Sequence, residues 1–434
     1  MSGPLVSYRF AFRSGSALDP ASKEGLACLT ATLVAEGASK TRSYKQILDE
    51  FFAMATGFEV SVDQELTVFS GTVHRDHADR YERIVREMLE EPAFLVEDFE
   101  RVRTDLLNHL KVGLRGSNDE ELAKEMLYCR LYEGQPYGHP CCGTVAGLSA
   151  VTLEDVKAYF VDVMKRTEAM VLPEARVLDG LEVTLIEKAD ARGVAMSFGH
   201  HIPVRRGHAH YHALLVAQCW LGQHRNGGRL FDSIREVRGL NYGAYAYLEY
   251  FPNGMYDFEP EPNLARQQQI FQVWLRPATP DKAVFAFRLA LYEIEQLRRE
   301  GMSVADFEQT RNFLTKYVRL LLKTESLVKG YAIDSEFYGI GEYTAYIAEG
   351  LARLSVEDVN RAACEYLDTE RICFVAVGPG MEEMARVLRE NDATPIGYEV
   401  EQGEEVLVVD RVVRGWPLRV RRLDVLDLED VFAV

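Results

Sequence analysis

The chain has 434 residues, of which 47% are hydrophobic and 27% charged, a composition ordinary for a soluble protein of two or three domains. Acidic residues outnumber basic ones by 67 to 49, and the net charge of −18 disfavours nucleic acid and anionic membranes as partners. The apolar runs are too short to span a bilayer, and no apolar segment precedes Arg9 and Arg13, so we expect a cytosolic protein. The seven cysteines include no Cys-x-x-Cys pair, which favours reduced, mostly buried thiols.

The first part of the chain predicts strands and then long helices. Alternating or β-rich patterns predict strands at residues 6–12 and 65–73. Apolar residues at helical spacing predict helices at residues 25–36, 43–55, 76–89 and 97–110. The second part repeats this order, with strands at residues 182–186 and 193–200 and helices at residues 210–221, 228–238 and 281–299. Runs of this kind indicate the α+β class.

An internal repeat divides the chain. Residues 147–156 match residues 350–359, and both copies read Ser/Thr-x-Glu-Asp, which is typical of a helix N-cap followed by acidic residues. The sequence therefore predicts two homologous halves, residues 1–178 and 179–390. We expect each half to consist of a mainly antiparallel sheet packed with long helices.

The predicted helix at residues 25–36 begins with Gly-Leu-Ala-Cys-Leu-Thr-Ala-Thr-Leu. This segment resembles the zinc-binding helix of the pitrilysin or insulinase-type metallopeptidases, which include mitochondrial processing peptidase. In these inverzincins, His-x-x-Glu-His places two zinc ligands and a general base on one helical face. The three corresponding positions here are Cys28, Ala31 and Thr32. Ala31 cannot act as a base and Thr32 is not a useful zinc ligand, so the resemblance implies a degenerate site that binds no metal.

The helix at residues 97–110 aligns with the helix that carries the family's third zinc ligand, a glutamate. This position falls on Asn108, or on His109 if the register is one residue later. Neither residue supplies the expected carboxylate, so this ligand position is degenerate as well.

Residues 54–62 resemble the edge strand that these enzymes pair with substrate. Glu59 replaces the family's usual asparagine, and Glu59, Val60 and Ser61 are the candidate substrate-edge residues. If the resemblance holds, an extended peptide would bind here by strand addition.

Residues 228–242 closely resemble the family's segment Ser-Arg-Leu-Phe-x-x-(Leu/Ile)-Arg-Glu-x-x-Gly-Leu-x-Tyr. The resemblance implies that Arg235 and Tyr242 form the substrate-binding Arg/Tyr pair. A guanidinium and a phenol can both donate hydrogen bonds to a peptide carbonyl and stabilise it as it becomes tetrahedral. An exposed helix face with a core tyrosine is the alternative, and Arg229, Arg238, Tyr245 and Tyr247 are lesser candidates.

Residues 391–434 form a tail beyond the family's expected end. Runs at residues 404–409 and 418–423 predict two short strands. In the family, a hairpin strand usually precedes the strand predicted here at residues 6–12. Residues 1–4 are too few to form such a strand. We therefore expect the tail to fill this strand position or to clasp a partner chain.

A histidine-rich segment at residues 200–212 offers a rival interpretation. His208 and His212 would share one helical face, which is compatible with a metal site. No carboxylate is placed beside them as a base, so the sequence favours a solvated loop.

The resemblance implies the non-catalytic, substrate-binding subunit of a heterodimeric zinc endopeptidase that acts on flexible peptides. Zinc, activated water and base would come from a paralogue with an intact zinc motif, while this chain would supply half of a clam-shaped chamber and no cofactor. In isolation the chain could form a homodimer. The alternatives are a peptidase-derived scaffold or binding subunit without proteolytic role, or a helper in the maturation of a peptide natural product or cofactor precursor.

Overall fold

The computed structural model describes residues 3–162, 164, 170–223, 227–252, 261–398 and 401–434. Its N-terminal half consists of β1 (Leu5–Phe12), α1 (Leu26–Glu36), α2 (Tyr44–Ala53), β2 (Glu59–Val62), β3 (Thr67–His74), α3 (Ala78–Glu90), α4 (Val96–Asn108), α5 (Arg115–Ser117), α6 (Asp119–Leu131), α7 (Val145–Ala150) and α8 (Leu153–Asp162). The described strands form an antiparallel sheet in the order β1-β3-β2. A π-helical turn, His109–Leu114, joins α4 to α5.

The C-terminal half and tail follow a connection at residues 170–180 that has neither helix nor strand. Their elements are β4 (Leu181–Glu187), β5 (Val194–Ile202), α9 (Tyr211–Gln218), β6 (Ala244–Leu248), β7 (Gln269–Ala278), α10 (Pro280–Glu300), α11 (Val304–Tyr317), α12 (Glu325–Tyr338), α13 (Tyr343–Arg353), α14 (Val356–Tyr366), β8 (Cys373–Gly378), α15 (Met381–Glu390), α16 (Glu404–Val413) and β9 (Val420–Asp427). The strands lie in the order β6-β7-β5-β8-β4-β9, in which β4 runs parallel to β8 and β9 and the other pairs are antiparallel. The predicted α+β class is confirmed.

The internal repeat is visible in local contacts. Thr152 and Asp155 cap α8 with reciprocal hydrogen bonds, and Ser355 and Asp358 cap α14 in the same way. Residues 96–103 on α4 also match residues 304–311 on α11. In these runs Arg103 stacks on Phe99 and Arg311 stacks on Phe307, in each case one helical turn earlier. Residues that match in sequence therefore make matching contacts, which confirms the two homologous halves.

The tail differs in part from the sequence-based expectation. Residues 404–409 were expected to form a strand because they are rich in valine, but they lie in the helix α16. Glu404 and Glu405 favour the helix by placing negative charge at its N-terminus, and Asp410 on this helix binds Arg238. These contacts outweigh the modest β-propensity of the valines. The second predicted strand is present as β9.

The tail joins both halves of the fold. Strand β9 lies beside β4 at the edge of the larger sheet, and not in the small N-terminal sheet where the sequence indicated a vacant position. Beyond β9, Val431 and Phe432 are buried in the N-terminal core. At the start of α7, the Val145 N–H donates a hydrogen bond to the carbonyl oxygen of Phe432 at 2.9 Å. The Ala146 N–H donates to the carbonyl oxygen of Ala433 at 3.0 Å. The last residues thus stabilise the opposite half.

The helices in the described parts of the chain are all too short or too polar to cross a bilayer.

The position of Val431 predicts that the end of the tail contributes to stability. Val431 is 0% exposed whereas Val434 is 94% exposed, so the two valines offer a matched pair of substitutions. We expect Val431→Ala to lower the free energy of unfolding by about 2 kcal/mol, because it removes two buried methyl groups. Val434→Ala should change it by less than about 0.5 kcal/mol. Urea unfolding measures both, and equal values would contradict the tail packing described here.

Candidate functional site

The positions that match the zinc motif lie on α1. Gly25, at φ 103°, precedes the helix. The Asp19 carboxylate accepts hydrogen bonds from the backbone N–H groups of Gly25 and Ala27, at 2.7 Å each. Ala31 is buried, while Cys28 and Thr32 are partly buried. Burial raises the pKa of the Cys28 thiol to about 12, so this group stays protonated at neutral pH. Ala31 has no polar group and Thr32 offers only a hydroxyl, so these positions lack the paired imidazoles and the carboxylate base of an intact zinc motif.

The position of the third zinc ligand is equally unsuited to metal. Asn108 ends α4 and His109 begins the π-helical turn, and both side chains are exposed. Among the described residues, no group of three or more His, Cys, Asp or Glu side chains is arranged to hold a metal ion. The residues at these positions do not fit a zinc ion.

The candidate substrate strand is an edge strand. Glu59, Val60 and Ser61 lie in β2, which pairs with β3 on one side and with no described strand on the other. Glu59 and Ser61 are exposed. A groove of about 500 Å³ lies beside Glu59, and its apolar lining includes Phe52, which is 88% exposed. This edge offers free backbone groups beside an apolar surface.

Arg235 and Tyr242 are brought together by the turn that follows α9. The predicted helix at residues 228–238 has a π-helical turn, Phe231–Glu236, which presents Arg235. The Arg235 guanidinium carbon lies 4.4 Å from the centre of the Tyr242 ring and 4.7 Å from that of Phe231. Tyr242 is 65% exposed. The Arg235 guanidinium thus lies close to both rings, and the phenol of Tyr242 is accessible to solvent.

The lesser candidates for substrate binding in this region make contacts that stabilise the fold. Arg229 donates to Glu293 at 2.8 Å, and Arg238 donates to Asp410 at 2.8 Å from a buried position. Tyr245 and Tyr247 are buried in β6. The two arginine contacts fix both ends of the turn that carries Arg235, because each anchors on a buried carboxylate.

One residue near Tyr242 gave no signal in the sequence. Arg276 stands near the end of β7, and its guanidinium carbon lies 5.2 Å from the centre of the Tyr242 ring. Its Nη2 lies 3.2 Å from Oε1 of Glu120, which belongs to α6 of the N-terminal half. A single arginine in an apolar strand matches no motif, so contacts of this kind emerge only from the folded chain.

The histidine-rich segment is only in part the loop that the sequence favours: residues 203–210 form a partly exposed loop, whereas its first residues lie in a strand. His200 and His201 belong to β5, where burial lowers the pKa of His201 to about 4, and His200 is buried. At least one ring nitrogen of each of these histidines hydrogen-bonds to a protein group, as seen for His200, His201, His208, His210 and His212. The Nδ1 atom of His201 is buried without a partner among the described residues. These contacts tie the segment to neighbouring elements.

The burial of Cys28 predicts slow chemical modification. With iodoacetamide at about pH 8, we expect the exposed Cys364 to be alkylated readily and Cys28 to be protected, because the thiolate is the reactive form. Peptide mass spectrometry over time measures both sites, and unfolding in guanidinium chloride provides the control in which both react. Equal rates in the native protein would contradict the burial of this former ligand position.

Comparisons with known proteins agree with this geometry. Residues 2–145 match the family model described as insulinase (peptidase family M16), and residues 141–314 match the model described as peptidase M16 inactive domain. An uncharacterized zinc protease of Rickettsia bellii is 21% identical over 388 residues, which cover 82% of this chain and 89% of that protein. A Helicobacter pylori protein named non-peptidase homolog YmxG is 25% identical over 171 residues, or 39% of this chain and 38% of that protein.

A solved structure shows the same fold. The crystal structure of a peptidase M16 inactive domain from Pseudomonas fluorescens superposes with a TM-score of 0.73 at 18% identity, covering 87% of this chain and 93% of that one. The two family models together extend over most of the chain, and the described elements follow the same architecture. The chain belongs to the insulinase family, peptidase family M16.

Proposed function

We propose that this chain is the non-catalytic, substrate-binding subunit of a two-chain zinc endopeptidase that cleaves flexible peptides. The observation that supports this proposal is the Arg235–Tyr242 stack, with an accessible phenol, in a chain whose zinc-motif positions lack ligands. A paralogue with an intact motif would bind the zinc and supply the base. The relatives fit a family in which some members are named proteases and another is named a non-peptidase homologue.

The chemical contribution of the pair follows from its donors. A guanidinium carries several N–H donors in a planar fork, and a phenol carries one O–H donor. Both would donate hydrogen bonds to the carbonyl oxygen of a bound peptide, and these bonds strengthen as negative charge develops on that oxygen. The rings of Phe231 and Tyr242 lie 4.7 and 4.4 Å from the Arg235 guanidinium carbon and restrict its orientation before substrate binds. A preorganised donor needs little rearrangement during the reaction.

Substrate would be held as an added strand. The free edge of β2 offers backbone donors and acceptors to an extended peptide, and the groove beside Phe52 would accommodate an apolar side chain. Only a flexible segment can adopt this extended conformation, which would select against folded proteins.

Substitutions in the pair test the proposal in a purified complex with the zinc-motif paralogue from the same genome. We expect Arg235→Ala to lower kcat/KM for a fluorogenic flexible peptide by about 100-fold, the usual effect of losing one oxyanion donor. Tyr242→Phe should lower it by about tenfold or more, because the ring remains and only the hydroxyl is lost.

Arg353→Ala provides the matched control, since this arginine lies on α13 with its side chain 80% exposed. The control should hydrolyse the peptide at the wild-type rate, and size-exclusion chromatography should show that all variants form the complex. Wild-type turnover by both pair variants would contradict the proposal. A complex that forms without any peptidase activity would instead favour a scaffold role.

A further inference from the structure

The segment that carries Tyr242 is attached to β7 at Arg276. The Arg276 N–H donates to the carbonyl oxygen of Gly243 at 2.9 Å, and the side-chain amide of Asn241 donates to the carbonyl oxygen of Arg276 at 3.1 Å. These two hydrogen bonds hold the backbone on both sides of Tyr242. They leave the ring itself free to rotate, since neither involves its side chain.

The guanidinium of Arg276 supplies a contact to the ring. It lies 5.2 Å from the ring centre, while Arg235 lies 4.4 Å from it. Both distances are within the range of cation–π attraction. A tyrosine that is 65% exposed would otherwise sample several rotamers, so two cationic contacts restrict the direction of its hydroxyl.

Glu120 fixes the guanidinium in turn. Its carboxylate lies 3.2 Å from Arg276 Nη2 in an ion pair whose side chains are only 8% and 21% exposed. Burial raises the pKa of Glu120, and the charge of Arg276 opposes that rise. Such a pair resists separation, because breaking it would leave a buried charge without a partner.

Packing energy alone does not explain an arginine at this position. Arg276 Nε is buried and has no hydrogen-bond partner among the described residues. An unsatisfied buried donor costs stability. Arg276 therefore carries a cost in stability while its guanidinium contacts the exposed ring of Tyr242.

We propose that Arg276 is a positioning residue for the substrate clamp, holding the Tyr242 ring against Arg235 through its ion pair with Glu120. Glu120 belongs to α6 in the N-terminal half, whereas Arg235 and Tyr242 belong to the C-terminal half. A residue of one half thus orients the clamp of the other. The catalytic consequence rests on the proposed function, whereas the ordering of the ring does not depend on it.

The ordering is tested without peptidase activity. A fluorotyrosine is placed at position 242 by amber suppression, and its fluorine NMR signal is recorded in the wild-type chain, Arg276→Ala, Arg276→Lys and the control Arg353→Ala. We expect a shifted signal in the wild-type and control chains. The signal should move toward the position of free fluorotyrosine in Arg276→Ala, where only the Arg235 contact remains. Arg276→Lys keeps a cation for Glu120 but lacks the planar group, so its signal should move in the same direction. It provides the test if the alanine variant does not fold, and signals unchanged in every folded Arg276 variant would overturn the proposal.

A double-mutant cycle in the peptidase complex tests the consequence. Arg276→Ala should lower kcat by about tenfold with little change in KM, because the misdirected hydroxyl is a lost transition-state donor. In a Tyr242→Phe background the same substitution should cause no further loss, since there is no hydroxyl to position. An equal loss in both backgrounds would mean that Arg276 acts only on stability and would overturn the proposal. If the wild-type complex is inactive, the proposed function fails, and the NMR result still decides whether Arg276 orders the ring.

Discussion

The two halves depend on a buried ion pair between Asp63 and Arg266. Asp63 directly follows β2 and Arg266 shortly precedes β7, and Arg266 Nε donates to the carboxylate at 2.7 Å with both side chains almost fully buried. The rings of Tyr128 and Tyr250 lie 4.3 and 4.0 Å from the guanidinium and exclude water from it. Removing either partner of such a pair costs about 3–5 kcal/mol because the other charge remains buried. The relative placement of β2 and β7 is therefore fixed.

This placement matters because both proposed substrate contacts depend on these two strands. The edge strand is β2 itself, and β7 carries Arg276 beside Tyr242. The interface between the halves is also polar elsewhere, since Lys124 of α6 donates to the carbonyl oxygen of Phe251 at 2.8 Å. Directional hydrogen bonds and ion pairs define one relative orientation, which apolar packing alone would specify less strictly. A binding surface assembled from two halves benefits from this rigidity.

Much of the architecture could be predicted from the sequence because it depends on local patterns. Helix periodicity, the Ser/Thr-x-Glu-Asp caps and the repeat at residues 147–156 and 350–359 predicted several long helices and the two halves, but not α6, β6 or β7. The tail helix α16 was missed because tertiary contacts, notably Asp410 with Arg238, outweigh local propensity. Arg276 was missed because its significance lies in neighbours distant in sequence. The Arg235–Tyr242 contact followed from a motif, but the ring exposure and the anchoring of the turn required coordinates.

The proposed function requires that this chain lacks metal chemistry of its own and completes the site of a zinc-bearing partner. The most direct measurement titrates the purified chain into a fixed amount of the zinc-loaded paralogue and follows hydrolysis of a flexible peptide. We expect the chain alone to be inert and the rate to rise to saturation at a one-to-one ratio. The proposed function would be contradicted if this chain alone showed chelator-sensitive cleavage, or if adding the chain left the paralogue's rate unchanged.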